Sequence, residues 1–223
     1  MIYLLHADAG KEYLRIKGED FKYLIKVRRH AVNDVIAFRN KKNLQILSHY
    51  KLKNIAPREA LFQLQSSEVA IIQTEKSLHI GWCIIDSKSV EKVLASLNEI
   101  GVAKITFIYC ERSQKNFKPD FKRYERIVEA SNQQCGRTEL MEFDSCKTIE
   151  SFIALYPDTK VFDFTEKTLA CESDFQTVLI GCEGGFSLHE KELLKNQEVF
   201  RLDTPMVLRS ESATLAVASK ILL

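Results

Sequence analysis

The segment VLIGCEGGFSLHE, residues 178–190, decides the fold class because it joins a buried strand, a glycine turn and a helix start. Its aliphatic residues are typical of a strand covered on both faces in a parallel sheet, and this strand ends at Gly181. The two glycines at residues 184–185 let the backbone turn tightly and approach a ligand. Ser187 and Glu190 have the spacing of a capping box, which predicts that a helix follows directly.

The turn in this segment is a candidate ligand site, since ligands of open α/β sheets bind beyond the carboxyl ends of the strands. A phosphate is not expected there, because Glu183 would repel an anion at the helix terminus. The chain also lacks the glycine patterns of dinucleotide-binding and P-loop proteins. A neutral or cationic ligand with ribose hydroxyls fits the turn better, although an isolated Glu-Gly-Gly is more often a plain βα turn.

Around this segment, strands and helices alternate from about residue 75 to residue 222. The predicted strands are residues 78–85, 104–110, 161–164, 177–180 and 199–202. The predicted helices are residues 89–100, 121–135, 188–195 and 211–222, the first of them stopped by Gly101. This alternation predicts an α/β domain with a mostly parallel sheet and helices on both of its faces.

The first 70 residues have a different pattern and a different charge. Short β segments are predicted at residues 2–6, 13–16, 34–38, 44–50 and 60–64, with one amphipathic helix starting at Gly18, and this spacing favours a small β-barrel. These residues carry thirteen Lys and Arg against seven Asp and Glu, while the rest of the chain is net acidic. A basic barrel is a plausible RNA platform, and a purely structural barrel would have the same pattern.

Composition excludes several classes of protein. The 223 residues are 45% hydrophobic and 28% charged, and four prolines and eight glycines are too few for a disordered or collagen-like chain. No apolar run approaches the roughly 20 residues of a membrane span, so no membrane association is expected. Six cysteines without a C-x-x-C pair and five histidines without H-x-x-x-H predict no metal site. A cytoplasmic protein with reduced thiols is the simplest interpretation.

Three further segments carry polar residues at the ends of predicted elements. LRSESA, residues 208–213, begins the last helix, where its arginine, glutamate and hydroxyls also suit simple capping and an ion pair. ERS at residues 111–113 follows a strand, and QQCGR at residues 133–137 closes a helix that otherwise looks solvated. Gln and Arg are rich in hydrogen-bond donors and suit bases and phosphates.

Taken in their order along the chain, these segments resemble the motifs of the ribosomal RNA small subunit methyltransferase E family, a branch of the SPOUT methyltransferases. The shared motifs are R-S, R-[WY]-x-x-I, Q-C-G-R, G-x-E-G-G-F-S-x-x-E and L-R-[ST]-E-[ST]-A. In this chain they lie at residues 112–113, 123–127, 134–137, 181–190 and 208–213. The family usually has proline at the position of Cys182, glycine at that of Thr204 and arginine at that of Met206.

The resemblance implies a PUA-like β-barrel over residues 1–70 and a SPOUT α/β domain with a deep trefoil knot over residues 75–223. It also implies a homodimer that uses S-adenosylmethionine to methylate N3 of a uridine in the 16S rRNA of the small ribosomal subunit. The residues that it implies for cofactor binding are Ile180, Gly181, Cys182, Glu183, Gly184, Gly185, Thr204, Met206, Val207 and Leu208.

Roles for individual side chains follow from the chemistry of that transfer. Uracil N3 must lose its proton, and the charge that develops on the base needs stabilisation. Arg209 is the first candidate to hold this charge and Arg112 the second, while Glu211 is a candidate to accept the proton or to orient Arg209. The candidate RNA-binding residues are Arg28, Arg29, Lys115, Arg123, Gln134 and Arg137.

Two alternatives stay open at this point. One is a SPOUT methyltransferase that acts on transfer RNA or on a ribose 2′-hydroxyl, against which the intact QCGR at residues 134–137 argues. The other is a non-catalytic RNA-binding or ribosome assembly factor, which the departures at Cys182, Thr204 and Met206 make conceivable.

Overall fold

The computed structural model of the chain describes residues 2–114, 117–169 and 175–223. Its strands are β1 (Leu4–Leu5), β2 (Tyr13–Lys17), β3 (Val35–Asn40), β4 (Asn43–Ile55), β5 (Glu59–Val69), β6 (His79–Cys83), β7 (Lys104–Ile108), β8 (Glu142–Cys146), β9 (Lys160–Phe162), β10 (Thr177–Ile180) and β11 (Val199–Phe200). Its α-helices are α1 (Gly18–Phe21), α2 (Ser87–Ile100), α3 (Phe121–Cys135), α4 (Ile149–Leu155), α5 (Leu188–Leu193) and α6 (Ser210–Leu222), and a π-helical turn spans Lys22–Val27.

The strands form two sheets, one in each of two units of the chain. The first unit comprises residues 1–73 and 132–139, and the second comprises residues 74–131 and 140–223. Within the described ranges, none of the helices is long and apolar enough to cross a membrane.

The sheet of the first unit has the strand order β1-β3-β4-β5-β2 and curls around an apolar core. Its pairs are antiparallel except that β1 runs parallel to β3. Leu14, Phe38 and Phe62 are almost fully buried, because alternate side chains of each strand face the core. Over the described residues, the expected barrel is thus a curled sheet with β1 and β2 at its edges.

Residues 132–139, which the sequence pattern groups with the second domain, belong to the first unit. The Gln133 carbonyl oxygen accepts hydrogen bonds from the backbone N–H groups of Ile2 and Tyr3 at 2.8 and 3.3 Å. The Tyr3 hydroxyl donates to the carbonyl oxygen of Arg137 at 2.8 Å, across 134 positions of sequence. Contacts over such a separation leave no local pattern, which is why the sequence does not indicate this segment's place.

The sheet of the second unit has the order β11-β9-β10-β6-β7-β8, and every neighbouring pair is parallel. The predicted parallel α/β sheet is therefore confirmed. Its interior strands are covered on both faces, and all five residues of β6 are buried. Two elements were not predicted. The strand β8 has a polar sequence and lies at an edge of the sheet, and α4 has only seven residues.

Local capping signals fix several helix ends. The helix α2 begins after Asp86, whose carboxylate accepts hydrogen bonds from the N–H groups of Lys88 and Ser89. It ends at Gly101, whose φ of 109° lies in the left-handed region that favours glycine. The predicted helix 121–135 and strand 177–180 coincide with α3 and β10. Strong local signals thus give accurate boundaries.

We predict that Gly81→Ala destabilises the protein, because the added Cβ would lie 2.5 Å from Cζ of the buried Phe152 ring. The expected loss in the free energy of unfolding is about 1–3 kcal/mol, as for other overpacked cores. Denaturant titration of Gly81→Ala, Phe152→Leu and the double variant measures it. The double variant should lose less free energy of unfolding than the sum of the two single losses, because the smaller leucine leaves room for the added Cβ. A loss equal to that sum would contradict the clash.

Candidate active site

A cavity of about 300 Å³ lies beyond the carboxyl ends of β9 and β10. Parallel strands place their carboxyl ends at one edge of the sheet, where α/β proteins bind their ligands. Three segments line the cavity: the end of β9, the loop after β10, and the chain from β11 to the start of α6. The residues that line it are Phe162, Asp163, Phe164, Ile180, Gly181, Cys182, Glu183, Gly185, Phe186, Arg201, Leu202, Thr204, Met206, Val207, Leu208, Arg209, Ser210 and Ala213.

The structure brings most of the candidate cofactor-binding residues together in this cavity. Gly184 is the exception, since it does not line the cavity although both of its neighbours in the loop do. Among the candidate catalytic residues, Arg209 lines the cavity, whereas Arg112 and Glu211 do not. The two distant sequence segments around residues 180–185 and 204–209 therefore form one concave surface.

The Arg112 side chain holds the loop from outside the cavity. Its Nη1 donates a hydrogen bond to the carbonyl oxygen of Gly184 at 2.6 Å. A Cβ added at Gly184 would lie 3.2 Å from Cδ of Arg112, so the loop and the arginine are in close contact. The prediction that Arg112 faces the reacting groups does not agree with this position. Its guanidinium is engaged with the loop backbone instead.

The capping box predicted for α5 is confirmed. Glu190 N donates to Ser187 Oγ at 3.1 Å, and Ser187 N donates to Glu190 Oε2 at 2.8 Å. The other oxygen of this buried carboxylate, Oε1, accepts the N–H of Glu111 at 2.8 Å. Glu190 therefore joins the start of α5 to the segment that follows β7.

The Glu111 carboxylate makes its own contact with α5, in which His189 Nδ1 lies 2.9 Å from its Oε1. Hydrogen bonds with Ser187 and with His189 lower the pKa of Glu111. The pair is exposed, so its contribution to stability is small.

Ser210, the first residue of α6, bridges two other elements through its buried hydroxyl. Trp82 Nε1 donates to Ser210 Oγ at 2.8 Å, and Ser210 Oγ donates to the Gly181 carbonyl oxygen at 2.6 Å. The sequence suggested helix capping for this hydroxyl, but the N-cap residue is Arg209, and it makes no side-chain capping bond. The hydroxyl instead fixes the start of α6 against the end of β10.

Glu211 and Arg209 do not form the expected pair. Glu211 is 5% exposed, and its Oε2 has no hydrogen-bond partner within the part of the chain that the structure describes. Arg209 is exposed, and no ion pair between the two side chains is present in that part of the chain. The idea that Glu211 orients Arg209 is therefore not supported by the geometry.

Several residues of the cavity were not anticipated from the sequence. Phe162 is the last residue of β9 and Asp163 follows it, and Asp163 forms an ion pair of 2.7 Å with Lys191 of α5. Their place at the carboxyl end of a predicted strand was a usable signal. Arg201 follows β11 in the same way. Phe186 and Ala213 stand in the shared motifs at residues 181–190 and 208–213 but were not among the candidate cofactor-binding residues, since their apolar side chains look like ordinary core residues.

The candidate RNA-binding residues are in different environments. Arg28 and Arg29 are exposed, and Arg29 has a left-handed φ of 59°, which is uncommon for a residue other than glycine. Gln134 is exposed as well. Arg123 pairs with Glu91 at 2.7 Å, which raises the pKa of the arginine. Lys115 lies outside the described residues.

Arg137 requires a correction, because it is only 5% exposed. Burial lowers the pKa of its guanidinium, and Nη2 lies 3.9 Å from Glu139 Oε2. A side chain inside the first unit is not available for direct RNA contact, although its polar character suggested one.

In the described ranges, the side chains form no group of three or more potential metal ligands.

Comparison with known proteins adds two findings on sequence. A family model described as an RNA methyltransferase domain matches residues 73–222. The chain is also 36% identical over 223 residues to the ribosomal RNA small subunit methyltransferase E of Helicobacter pylori strain J99, and the match covers 98% of each chain.

Solved structures share the fold. A methyltransferase from Legionella pneumophila in complex with SAM has a TM-score of 0.77 and 20% identity, covering 98% of this chain and 95% of the other. The ribosomal RNA small subunit methyltransferase E of Neisseria gonorrhoeae, bound to S-adenosyl methionine, has a TM-score of 0.75 and 16% identity, with the same coverage. At these identities the likeness is one of fold.

We predict that Ser210→Ala lowers the free energy of unfolding by about 1–3 kcal/mol, because it leaves the buried Trp82 Nε1 and the partly buried Gly181 carbonyl oxygen without this partner. Thermal or denaturant unfolding measures the loss. The matched control is Ser219→Ala on the same helix, where the hydroxyl donates only to the Leu215 carbonyl oxygen one turn earlier. The control should change stability by a few tenths of a kcal/mol, and equal effects would contradict the bridge.

Proposed function

The chain belongs to the ribosomal RNA small subunit methyltransferase E family, and from this membership we propose that it transfers a methyl group from S-adenosylmethionine to N3 of a uridine in 16S rRNA. The observation that carries the proposal is the cavity at the carboxyl edge of the sheet, where the loop after β10 and the segment before α6 meet. We further propose that the protein acts in the cytoplasm on the small ribosomal subunit.

The lining of the cavity fits this cofactor. Gly181 and Gly185 present backbone groups, and a Cβ at Gly181 would lie 3.5 Å from both the Gly185 Cα and the Phe186 ring. Apolar side chains such as Ile180 and Leu208 suit the adenine, and the exposed carboxylate of Glu183 suits a cation. The proposed binding residues are Ile180, Gly181, Cys182, Glu183, Gly185, Thr204, Met206, Val207 and Leu208. When bound, S-adenosylmethionine supplies an electrophilic methyl group on a sulfonium.

Arg209 is the proposed catalytic residue. It lines the cavity and is exposed, so its guanidinium is free to reach a base that enters from solvent. As N3 loses its proton, negative charge spreads over the two uracil carbonyl oxygens, and a planar guanidinium offers paired donors to them. The base reaches this position by leaving its helical stack.

The N3 proton is not assigned to Glu211. That carboxylate is buried and does not line the cavity. Because the cavity opens to solvent near the exposed Arg209, we propose that the proton leaves to water. Arg112 is proposed as a positioning residue that holds the Gly184 carbonyl and thereby the loop.

The remaining proposals concern assembly and fold. Phe164, Met206 and Val207 all line the cavity and are 75%, 65% and 78% exposed, which supports a homodimer contact on this apolar surface. The bond from Ser210 to Gly181 supports a chain path in which the segment before α6 passes closely along the loop after β10, as the proposed trefoil knot requires. The curled basic sheet of the first unit supports a PUA-like RNA-binding domain.

The test is transfer of labelled methyl to small-subunit particles, naked 16S rRNA and transfer RNA, with mass spectrometry of the digested nucleosides. We expect N3-methyluridine from particles or rRNA. Arg209→Ala should reduce kcat by roughly 100- to 1000-fold, as the loss of one charge-stabilising donor does elsewhere, with RNA binding unchanged.

Two controls accompany this test. Arg209→Lys should retain part of the activity, because a single ammonium keeps the charge but not the paired donors. Lys220→Ala, at the far end of the same helix, should retain all of it. Wild-type turnover by Arg209→Ala would show that Arg209 is not the catalytic residue. Labelled methyl in transfer RNA or on a ribose would contradict the proposed 16S rRNA uridine substrate.

A second prediction concerns RNA binding by the first unit. Arg28 and Arg29 are exposed, and neither forms an ion pair with another residue that the structure describes. Each is therefore proposed to neutralise one phosphate of the RNA. Replacing either by alanine should reduce the slope of log K against log salt by about one. Filter binding of an rRNA fragment over a salt series measures it. Lys195→Ala, in the second unit and paired with Glu192, should leave the slope unchanged, and an equal effect would contradict the assignment.

A further inference from the structure

Three free thiols meet beside the cavity, at the carboxyl ends of three neighbouring strands. Cys83 ends β6, Cys110 follows β7 by two residues, and Cys182 follows β10 by two residues. Since β6 lies between β10 and β7 in the sheet, the two outer cysteines converge just past its end. Cys110 Sγ and Cys182 Sγ are 3.7 Å apart.

The three thiols differ in access and in ionisation. Cys83 is fully buried and Cys182 nearly so, whereas Cys110 is partly exposed. Hydrogen bonds with Cys182 and Cys83 lower the pKa of Cys110, and the same contacts together with burial raise the pKa of both partners. The Ser113 hydroxyl, 2.9 Å from Cys110 Sγ, adds a further hydrogen bond. Cys110 is therefore the thiol of the three that ionises most readily and that solvent reaches, and the thiolate is the reactive form of cysteine.

We propose that Cys110 and Cys182 form a peroxide-sensitive dithiol, whose oxidation to a disulfide disables the cofactor loop. The effect on the loop rests on the proposed function, because it assumes that the loop after β10 binds S-adenosylmethionine. The pairing of the two cysteines rests only on their geometry.

The chemistry has two steps and uses a peroxide as oxidant. The Cys110 thiolate attacks one peroxide oxygen, so the O–O bond breaks, hydroxide leaves and Cys110 becomes a sulfenic acid. The Cys182 sulfur then attacks the Cys110 sulfur and displaces its hydroxyl group, which leaves as water with the proton of Cys182. One peroxide is reduced, and two thiols are oxidised to one disulfide.

The disulfide would act on the cavity through Cys182, which lines it. Bonded sulfurs lie roughly 2 Å apart, so the two residues must approach from their present separation. The Cys182 carbonyl oxygen accepts a hydrogen bond from the N–H of Gly185 at 2.9 Å, and Arg112 donates a hydrogen bond to the Gly184 carbonyl oxygen. A shift of Cys182 is therefore passed to the glycines of the loop. We expect cofactor affinity to fall at least roughly tenfold, about 1.4 kcal/mol.

The experiment treats the reduced full-length protein with hydrogen peroxide and removes the excess. Peptide mapping by mass spectrometry without reduction identifies the cysteines that are joined. Calorimetric titration with S-adenosylmethionine compares reduced, oxidised and dithiothreitol-treated protein. We expect a Cys110–Cys182 peptide pair, weakened binding after oxidation, and recovery on reduction.

Two variants sharpen the result. Cys110→Ser should bind the cofactor equally before and after peroxide, because it lacks the reactive thiolate. Cys135→Ser, in the first unit, should respond like the wild type. If Cys110→Ser does not fold, peptide mapping of the wild type still decides the pairing.

Each failure has a distinct meaning. A missing disulfide, or a bond between Cys110 and Cys83, would overturn the proposed dithiol. A Cys110–Cys182 bond with unchanged cofactor affinity would overturn the switch and leave the proposed function intact. Reduced protein that binds no S-adenosylmethionine would contradict the proposed function, and the switch with it.

Discussion

The Ser210 hydroxyl lies between the indole nitrogen of Trp82 and the carbonyl oxygen of Gly181, and the cavity depends on this buried bridge. It joins the central strand β6, the end of β10 and the first turn of α6. Removing the hydroxyl would leave the buried indole N–H of Trp82 unsatisfied, which costs more than the bond itself contributes. The bridge therefore fixes where the segment before α6 runs, and with it one wall of the cavity.

The glycine loop is held from other directions as well. Arg112 contacts its backbone from outside, and the Glu190 carboxylate joins the start of α5 to the N–H of Glu111. These contacts reach the segment after β7, so β7 influences the cavity without lining it. A loop with little side-chain bulk thus obtains its order from neighbouring elements rather than from its own packing.

Sequence patterns predicted the elements whose signals are local. β10, α3 and the Ser187–Glu190 capping box have the predicted positions, because apolar periodicity and capping act over a few residues. The polar edge strand β8 and the short helix α4 carried too little pattern to be recognised. The positions of Arg112, Glu211 and Arg137 depend on contacts between distant parts of the chain. Residue type indicated polar chemistry for them, but not the partner or the burial.

The shared helix α3 has a consequence for the ancestry of this protein. It begins in the second unit at Phe121 and ends in the first, since the division falls between Ser131 and Asn132. Recombination at a single point near residue 73 would transfer residues 1–73 without residues 132–139, which belong to the same unit. The two units are therefore interleaved along the gene, and they are expected to be inherited together rather than exchanged as separate modules.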